Sequence, residues 1–153
     1  MTENGLRDHV GYWLRRLSDE VHTSFERQLA AHDVTVAQWN VLVTVYRGDA
    51  TTTGEAARFI GIDPGAVSRL VDRLAAKKLI TRSADPQSRR SLRLELTPAG
   101  QALVPVLIGI ADQNDTAYFG SLPPTEQTEL VRLLRQLLSP TTSSAEEEAP
   151  FHD

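Results

Sequence analysis

Residues 53–100 read TGEAARFIGIDPGAVSRLVDRLAAKKLITRSADPQSRRSLRLELTPAG, and this stretch decides the fold. Asp63 followed by Pro64 is a helix start: the carboxylate can accept an orphan backbone N–H, and proline is harmless where no intrahelical donor is needed. Beyond it Val67, Leu70, Val71 and Leu74 recur at i, i+3, i+4 and i+7, so they face a core. Gly65, Ala66, Ser68, Arg69, Asp72 and Arg73 then face outward. A short helix, 53–60, precedes this one and stops at Gly61. Leu79-Ile80 opens a strand, residues 83–90 form a basic turn, and SLRLELT returns with alternating leucines. A helix offering Ser and Arg on its free face has the shape and chemistry to enter a DNA major groove. A basic hairpin tip beside it can reach the backbone or the minor groove.

Outward from this segment the chain is helical. Residues 6–32 fit one long amphipathic helix, with Leu6, Val10, Leu14, Leu17, Val21, Phe25 and Leu29 as its stripe. Thr35 can cap a second helix that buries Trp39, Val41, Leu42 and Val45 in some combination. Thr52 and Glu55 have the spacing of a capping box. Thr97-Pro98 repeats the cap-then-proline signal and opens a helix to about Phe119, with a bend expected near Pro105. After a turn at 121–124, a last helix carries Leu130, Leu133, Leu134, Leu137 and Leu138. Residues 140–153 are polar, acidic and proline-bearing, and are expected to form a disordered tail. The apolar stripes of the terminal helices exceed what one small protomer needs to cover, which favours an intertwined homodimer over self-packing in a monomer.

Net charge is −4, but its distribution is uneven. Residues 47–100 hold ten Arg/Lys against six acids, whereas the remainder holds six against fourteen. A basic face on an acidic scaffold follows. The 153 residues fit one domain, and 41% apolar content is ordinary for a globular chain. The absence of cysteine excludes disulfides, thiolate metal sites and thiol redox sensing. The N-terminal MTENGLRDHVGYW has no basic region followed by an apolar run, and the apolar stretch 103–110 is too short to span a bilayer, so a cytoplasmic location is expected.

These residues resemble the MarR family of winged-helix transcription regulators. The resemblance runs from about Val10 to Leu138 and is carried by TVAQWNVL, PGAVSRLVDRLAAKKLI and, above all, DPQSRRSLRLELTPAG. It implies a mainly α protein with a small β-wing: a winged helix-turn-helix of four helices, two strands and two further helices. Residues 35–97 would be the DNA-binding domain, and 6–32 with 98–138 the helical dimerisation region. The family resemblance further implies a dimer on pseudo-palindromic double-stranded DNA, commonly as a repressor relieved by a small molecule. Two positions depart from the family pattern. Ser88 stands where an acid often precedes the paired arginines, which suggests a looser wing. Lys78 stands where glycine usually precedes the Leu-Ile strand start, which suggests a different helix end.

Arg69 is the candidate base reader, since an outward arginine early in a recognition helix can donate bidentately to guanine. Its alternatives are a phosphate contact or an ion pair with Asp72 or Asp63. Ser68 can meet a base or a phosphate, or serve simply as a small residue where the helix approaches DNA. Arg73 and Lys77 are expected at phosphates, the alternative being that they only solvate the helix. Gly65 and Ala66 lack bulk, as close approach to DNA would require. By resemblance, Arg89 is the wing arginine that enters an A·T-rich minor groove, and Arg90 is left to pair with Asp85 and brace the turn. Resemblance also places an effector between the dimer-forming helices and the winged domain. Trp13, Arg16 and Trp39 are the candidates there, two rings and a cation for an aromatic carboxylate, although all three also serve as ordinary core and surface residues.

The four histidines show no ligand spacing, and no metal site or cofactor is expected. No glycine-framed nucleophile, P-loop or dinucleotide fingerprint is present, so no catalytic residue is assigned. The competing function is a winged-helix protein–protein module whose basic face binds an acidic partner.

Overall fold

The computed structural model describes the backbone of residues 2–147 and side chains up to Ser139. A 3-10 turn, Leu6–Asp8, leads into α1 (Val10–Ala30), α2 (Val36–Tyr46), α3 (Thr53–Ile60) and α4 (Pro64–Ala76). The antiparallel strands β1 (Ile80–Asp85) and β2 (Ser88–Leu96) follow, then α5 (Pro98–Phe119) and α6 (Pro124–Glu147). α5 carries the boundary between two compact units, one up to Asn114 and the other from Asp115.

The first unit holds the core. Val41 and Leu42 of α2, Ala56 of α3, Val67, Val71 and Leu74 of α4, Ile80 of β1 and Leu94 of β2 close around Leu29 of α1 and Leu107 of α5. α4 therefore buries the stripe its spacing predicts, with Leu70 partly buried at its edge. α1 and α5 are also joined by polar contacts. Asn114, 4% exposed, accepts from Ser24 Oγ (2.8 Å) and Gln28 Nε2 (3.2 Å), and its own Nδ2 donates to the Val21 carbonyl (3.2 Å). A buried amide satisfied on both sides fixes helix register as well as contact.

Four expectations are corrected. The first helix does not begin at residue 6: His9 is extended (φ −95°, ψ 128°), and Asp8 Oδ2 accepts the Gly5 N–H at 2.9 Å to close the preceding 3-10 turn. The Thr52/Glu55 capping box is half made. Thr52 Oγ1 accepts the Glu55 N–H (3.2 Å), but Glu55 Oε2 reaches past Thr52 to the N–H (2.8 Å) and hydroxyl (3.1 Å) of Thr51. Lys78 does not change the helix end. It takes the left-handed conformation (φ 60°) itself, with Leu79 N–H on the Leu74 carbonyl (3.0 Å), as a glycine would. Lastly, the α6 backbone continues to Glu147, past the expected start of the acidic tail at 140, through the helix-favouring Ala145, Glu146 and Glu147. Residues 148–153 of that tail lie outside the described residues.

Two apolar stripes stay open to solvent in the protomer. Leu6, Val10, Leu14 and Leu17 are 38–79% exposed at the N-terminal end of the chain. On α6, Val131, Leu133, Leu134, Leu137 and Leu138 are 36–69% exposed.

Candidate nucleic-acid interface

α3 and α4 form the helix-turn-helix. Gly61, at φ 82°, turns the chain, and its N–H and that of Ile62 both close on the Ala57 carbonyl (2.9 and 3.1 Å). Asp63 Oδ2 accepts the Ala66 N–H (3.3 Å), making the N-cap that the sequence predicts. Gly65 has a local reason for its lack of bulk. A Cβ there would stand 2.8 Å from that same Asp63 oxygen, so the glycine makes room for the cap whether or not DNA approaches.

Ser68, Arg69 and Arg73 are exposed along one face of α4. The Arg69 guanidinium lies back along the helix, with Nη1 3.5 Å from the position of a Gly65 Cβ. It therefore sits over the first turn of α4, as helical side chains lean toward the N-terminus. No carboxylate comes within 4.0 Å of Arg69, Arg73, Arg89 or Arg90 among the described residues. The ion pair that Asp72 could have offered Arg69 goes instead to Arg82 of β1, which ties the middle of α4 to the wing.

The wing differs from the expected turn over 83–90. Its strands run further out, with Asp85 opposite Ser88, so the turn itself narrows to Pro86-Gln87. Pairing is regular from Ile80↔Leu96 to Ala84↔Leu92 and then shifts, leaving Arg89, Arg90 and Ser91 as extra residues on β2. A bulge re-aims the side chains it contains. Arg89 and Arg90 are exposed, while Ser91 is half-buried and turns toward α3. Ser91 Oγ accepts the Gly54 N–H (3.0 Å) and lies 3.2 Å from Thr53 Oγ1, which accepts the Leu92 N–H (3.0 Å). The Leu94 N–H also donates to the Thr51 carbonyl (2.9 Å), and Thr52 bridges Arg93. β2 is thus anchored on both edges, a staple that the sequence reading misses because serine at 91 carries no long-range signal.

The expected Asp85–Arg90 brace is absent. Asp85 Oδ1 instead accepts the Gln87 N–H (3.1 Å) across the turn, and Ser88 Oγ accepts the Arg90 N–H (3.4 Å). Ser88, where an acid was expected, thereby supplies a bond within the wing. The Glu55 carboxyl at the base of the motif is held below its ordinary range by the Thr51 N–H, then by the Thr51 hydroxyl, with Arg58 adding to the effect.

Lys77 does not join the outward set. Its ammonium is bonded to the Asp33 carbonyl oxygen and to Gln38 Oε1 (2.9 Å), with the Asp33 carboxylate at 3.6 Å. Nor do Trp13, Arg16 and Trp39 frame one pocket in the protomer. Trp13 meets Tyr12 edge-on, donates its indole N–H to the Arg7 carbonyl (2.8 Å) and lies under the Arg7 guanidinium (5.1 Å). Arg16 pairs with Glu20 (4.0 Å) and reaches the Tyr12 hydroxyl (3.5 Å). Trp39 packs edge-on against Phe25 (5.8 Å). Phe25 lies twelve residues beyond Trp13 on α1, about 18 Å along the helix axis, and helical spacing alone hides such a separation.

Residues 32–91 match the MarR family model, which spans the turn after α1, α2, the helix-turn-helix and most of the wing. Over nearly its whole length the chain is similar to Bordetella bronchiseptica BpsR, with 31% identity and a TM-score of 0.79, covering 89% of this chain and 97% of that one. The chain belongs to the MarR family of winged-helix transcriptional regulators. Among curated relatives of this MarR-family chain, the transcriptional repressor NicR of Pseudomonas putida is 28% identical over 90% of this chain and 87% of its own. Staphylococcus aureus MepR, solved as a DNA complex, superposes with a TM-score of 0.78 at 28% identity, over 86% of this chain and 97% of its own. No described helix of the chain is long and apolar enough to cross a membrane.

Proposed function

We propose that this MarR-family chain is a dimeric repressor that binds a pseudo-palindromic operator through α4 and the β1–β2 wing. The observation that carries the reading is the free, outward set Ser68, Arg69 and Arg73 beside a bulged wing that exposes Arg89 and Arg90. Arg69 reads a base in the major groove, Arg73 and Arg90 meet phosphates, and Arg89 enters the adjacent minor groove. Residues 35–97 act as the DNA-binding part, and 6–32 with 98–138 as the dimerising part. The exposed leucines of α1 and α6 support that division, since apolar stripes of this length require a partner. DNA in the MepR complex and the NicR repressor activity support the same function.

Relief of binding by an aromatic carboxylic acid is part of the proposal. The regulation of BpsR DNA binding by 6-hydroxynicotinic acid, a heteroaromatic carboxylate, supports that effector class. Such a molecule must bind the DNA-incompetent arrangement more tightly, because equal affinity for both states shifts nothing. Arg16, with Tyr12 and Trp13 beside it, is the first cation to test.

Sequencing DNA retained by the purified protein from a random pool, followed by footprinting and solution mass measurement, tests the proposal. The expected result is an inverted repeat with half-sites about one helical turn apart. A stable monomer on one asymmetric half-site, or no enrichment, overturns it.

A further inference from the structure

The ammonium of Lys77 has three hydrogens to donate. Three acceptors surround it: the Asp33 carbonyl, Gln38 Oε1 at 2.9 Å and the Asp33 carboxylate at 3.6 Å. Asp33 is the turning residue between α1 and α2, held at φ 56°, and Gln38 is 3% exposed. The same Gln38 oxygen accepts the Thr35 N–H (3.3 Å), so the corner is itself cross-braced. With two of its hydrogens bonded at this corner and the Asp33 carboxylate paired beside it, the ammonium is directed into the protein rather than toward a phosphate, although its place at the C-terminal end of α4 suggests one.

We infer that Lys77 is a positioning residue that fixes the end of α4 to the α1–α2 corner and so sets the angle at which Ser68 and Arg69 meet DNA. The inference rests on α4 being the recognition helix. Apolar packing of Val67, Val71 and Leu74 keeps α4 against the core but, being non-directional, resists rocking weakly. The Asp72–Arg82 pair holds the middle of the helix, and the Lys77 bonds hold its end. Arg69 lies eight residues from Lys77, about 12 Å along the axis, so a tilt of roughly 5° displaces it by about 1 Å. A bidentate contact with a base edge does not survive that displacement, whereas contacts with the phosphate backbone, which carry no sequence information, tolerate it.

The test compares wild type, Lys77→Met, Gln38→Met and the double variant on the selected operator and on an unrelated duplex, across a salt series. The expected result for Lys77→Met is about tenfold weaker operator binding, with unrelated-duplex affinity and the salt slope retained. Gln38→Met, which leaves the Asp33 contacts of Lys77 in place, should do the same to a smaller degree. The double variant should be no worse than Lys77→Met, because Gln38 acts on α4 through its bond to Lys77. Equal losses on both duplexes overturn the inference, as does a slope flattened by about 0.9 per lost contact. A lowered melting temperature with an unchanged ratio of operator to unrelated-duplex affinity also overturns it, showing a role in stability alone. If Lys77→Met does not fold, Gln38→Met decides by the same ratio. Wild type lacking any operator preference would remove the recognition-helix reading, and this inference with it. Loss of preference confined to the variants leaves that reading intact.

Discussion

Replacing Lys78 with glycine should make this protein more stable. Lys78 is exposed, and its side chain makes no hydrogen bond or ion pair among the described residues, yet its backbone stands at φ 60°. An L side chain in that region costs about 1–2 kcal/mol, from crowding of Cβ against the following carbonyl. The conformation persists because its surroundings demand it. Lys78 N–H closes on the Ala75 carbonyl (3.0 Å), its carbonyl accepts the Thr97 hydroxyl (2.6 Å), and the Leu79 carbonyl accepts the Thr97 N–H (3.1 Å). α4, β1 and the start of α5 therefore meet at one strained residue. Lys78→Gly removes the crowding but loosens the unfolded chain by about 0.4–1 kcal/mol, leaving a net gain of roughly 0.5–1 kcal/mol. In urea the midpoint should rise with the slope unchanged, and the melting temperature should rise by about 2–4 °C for a gain of 1 kcal/mol. Protomer concentration must be held constant, because a dimer's stability depends on it. Lys78→Ala is the control, since it removes the lysine chain but keeps a Cβ, and should stay within about 0.5 kcal/mol of wild type. Glycine and alanine variants of equal stability would refute the argument.

Two further substitutions address the interface. Ser91→Ala leaves the Gly54 N–H without its partner and should cost about 1–2 kcal/mol; hydrogen exchange at Gly54 and Leu92 should rise while that of α5 stays unchanged. Arg69→Ala should cost about 1–3 kcal/mol at the operator and relax base preference at one position per half-site; an unchanged consensus after reselection would assign Arg69 to a phosphate.

Local signals were legible in the sequence wherever one residue type answers one backbone need. Asp63-Pro64 and Gly61 mark helix ends because caps and left-handed turns are set by nearest neighbours, and the valine and leucine period of α4 reports its buried face directly. Lys78 was misleading for the same reason: its type argues against a left-handed end, and contacts from Thr97, distant in sequence, impose one. The leucine period of the first helix likewise runs straight across His9, where the backbone breaks. The shift in β2 leaves no trace in composition, because it arises from Ser91 bonding to α3 across 37 residues of sequence. The direction of Lys77 depends on Asp33 and Gln38 in the same way.

The charge pattern gains a physical meaning from these contacts. A chain of net charge −4 must bring arginines to a polyanion without neutralising them internally, and its basic segment contains six acids able to do so. Four of the six are engaged elsewhere. Glu55 accepts from Thr51, Asp63 from the Ala66 N–H, Asp85 from the Gln87 N–H, and Asp72 takes Arg82. Glu55 and Asp63 lie in or at the first turns of α3 and α4, where the partial positive charge of a helix start offsets a carboxylate. The acids thus build the scaffold, and the donors of Arg69, Arg73, Arg89 and Arg90 stay free for phosphate oxygens and base edges. Converting Asp63 or Asp85 to alanine would therefore add net positive charge but remove a cap or a turn, and the geometry lost would outweigh the charge gained.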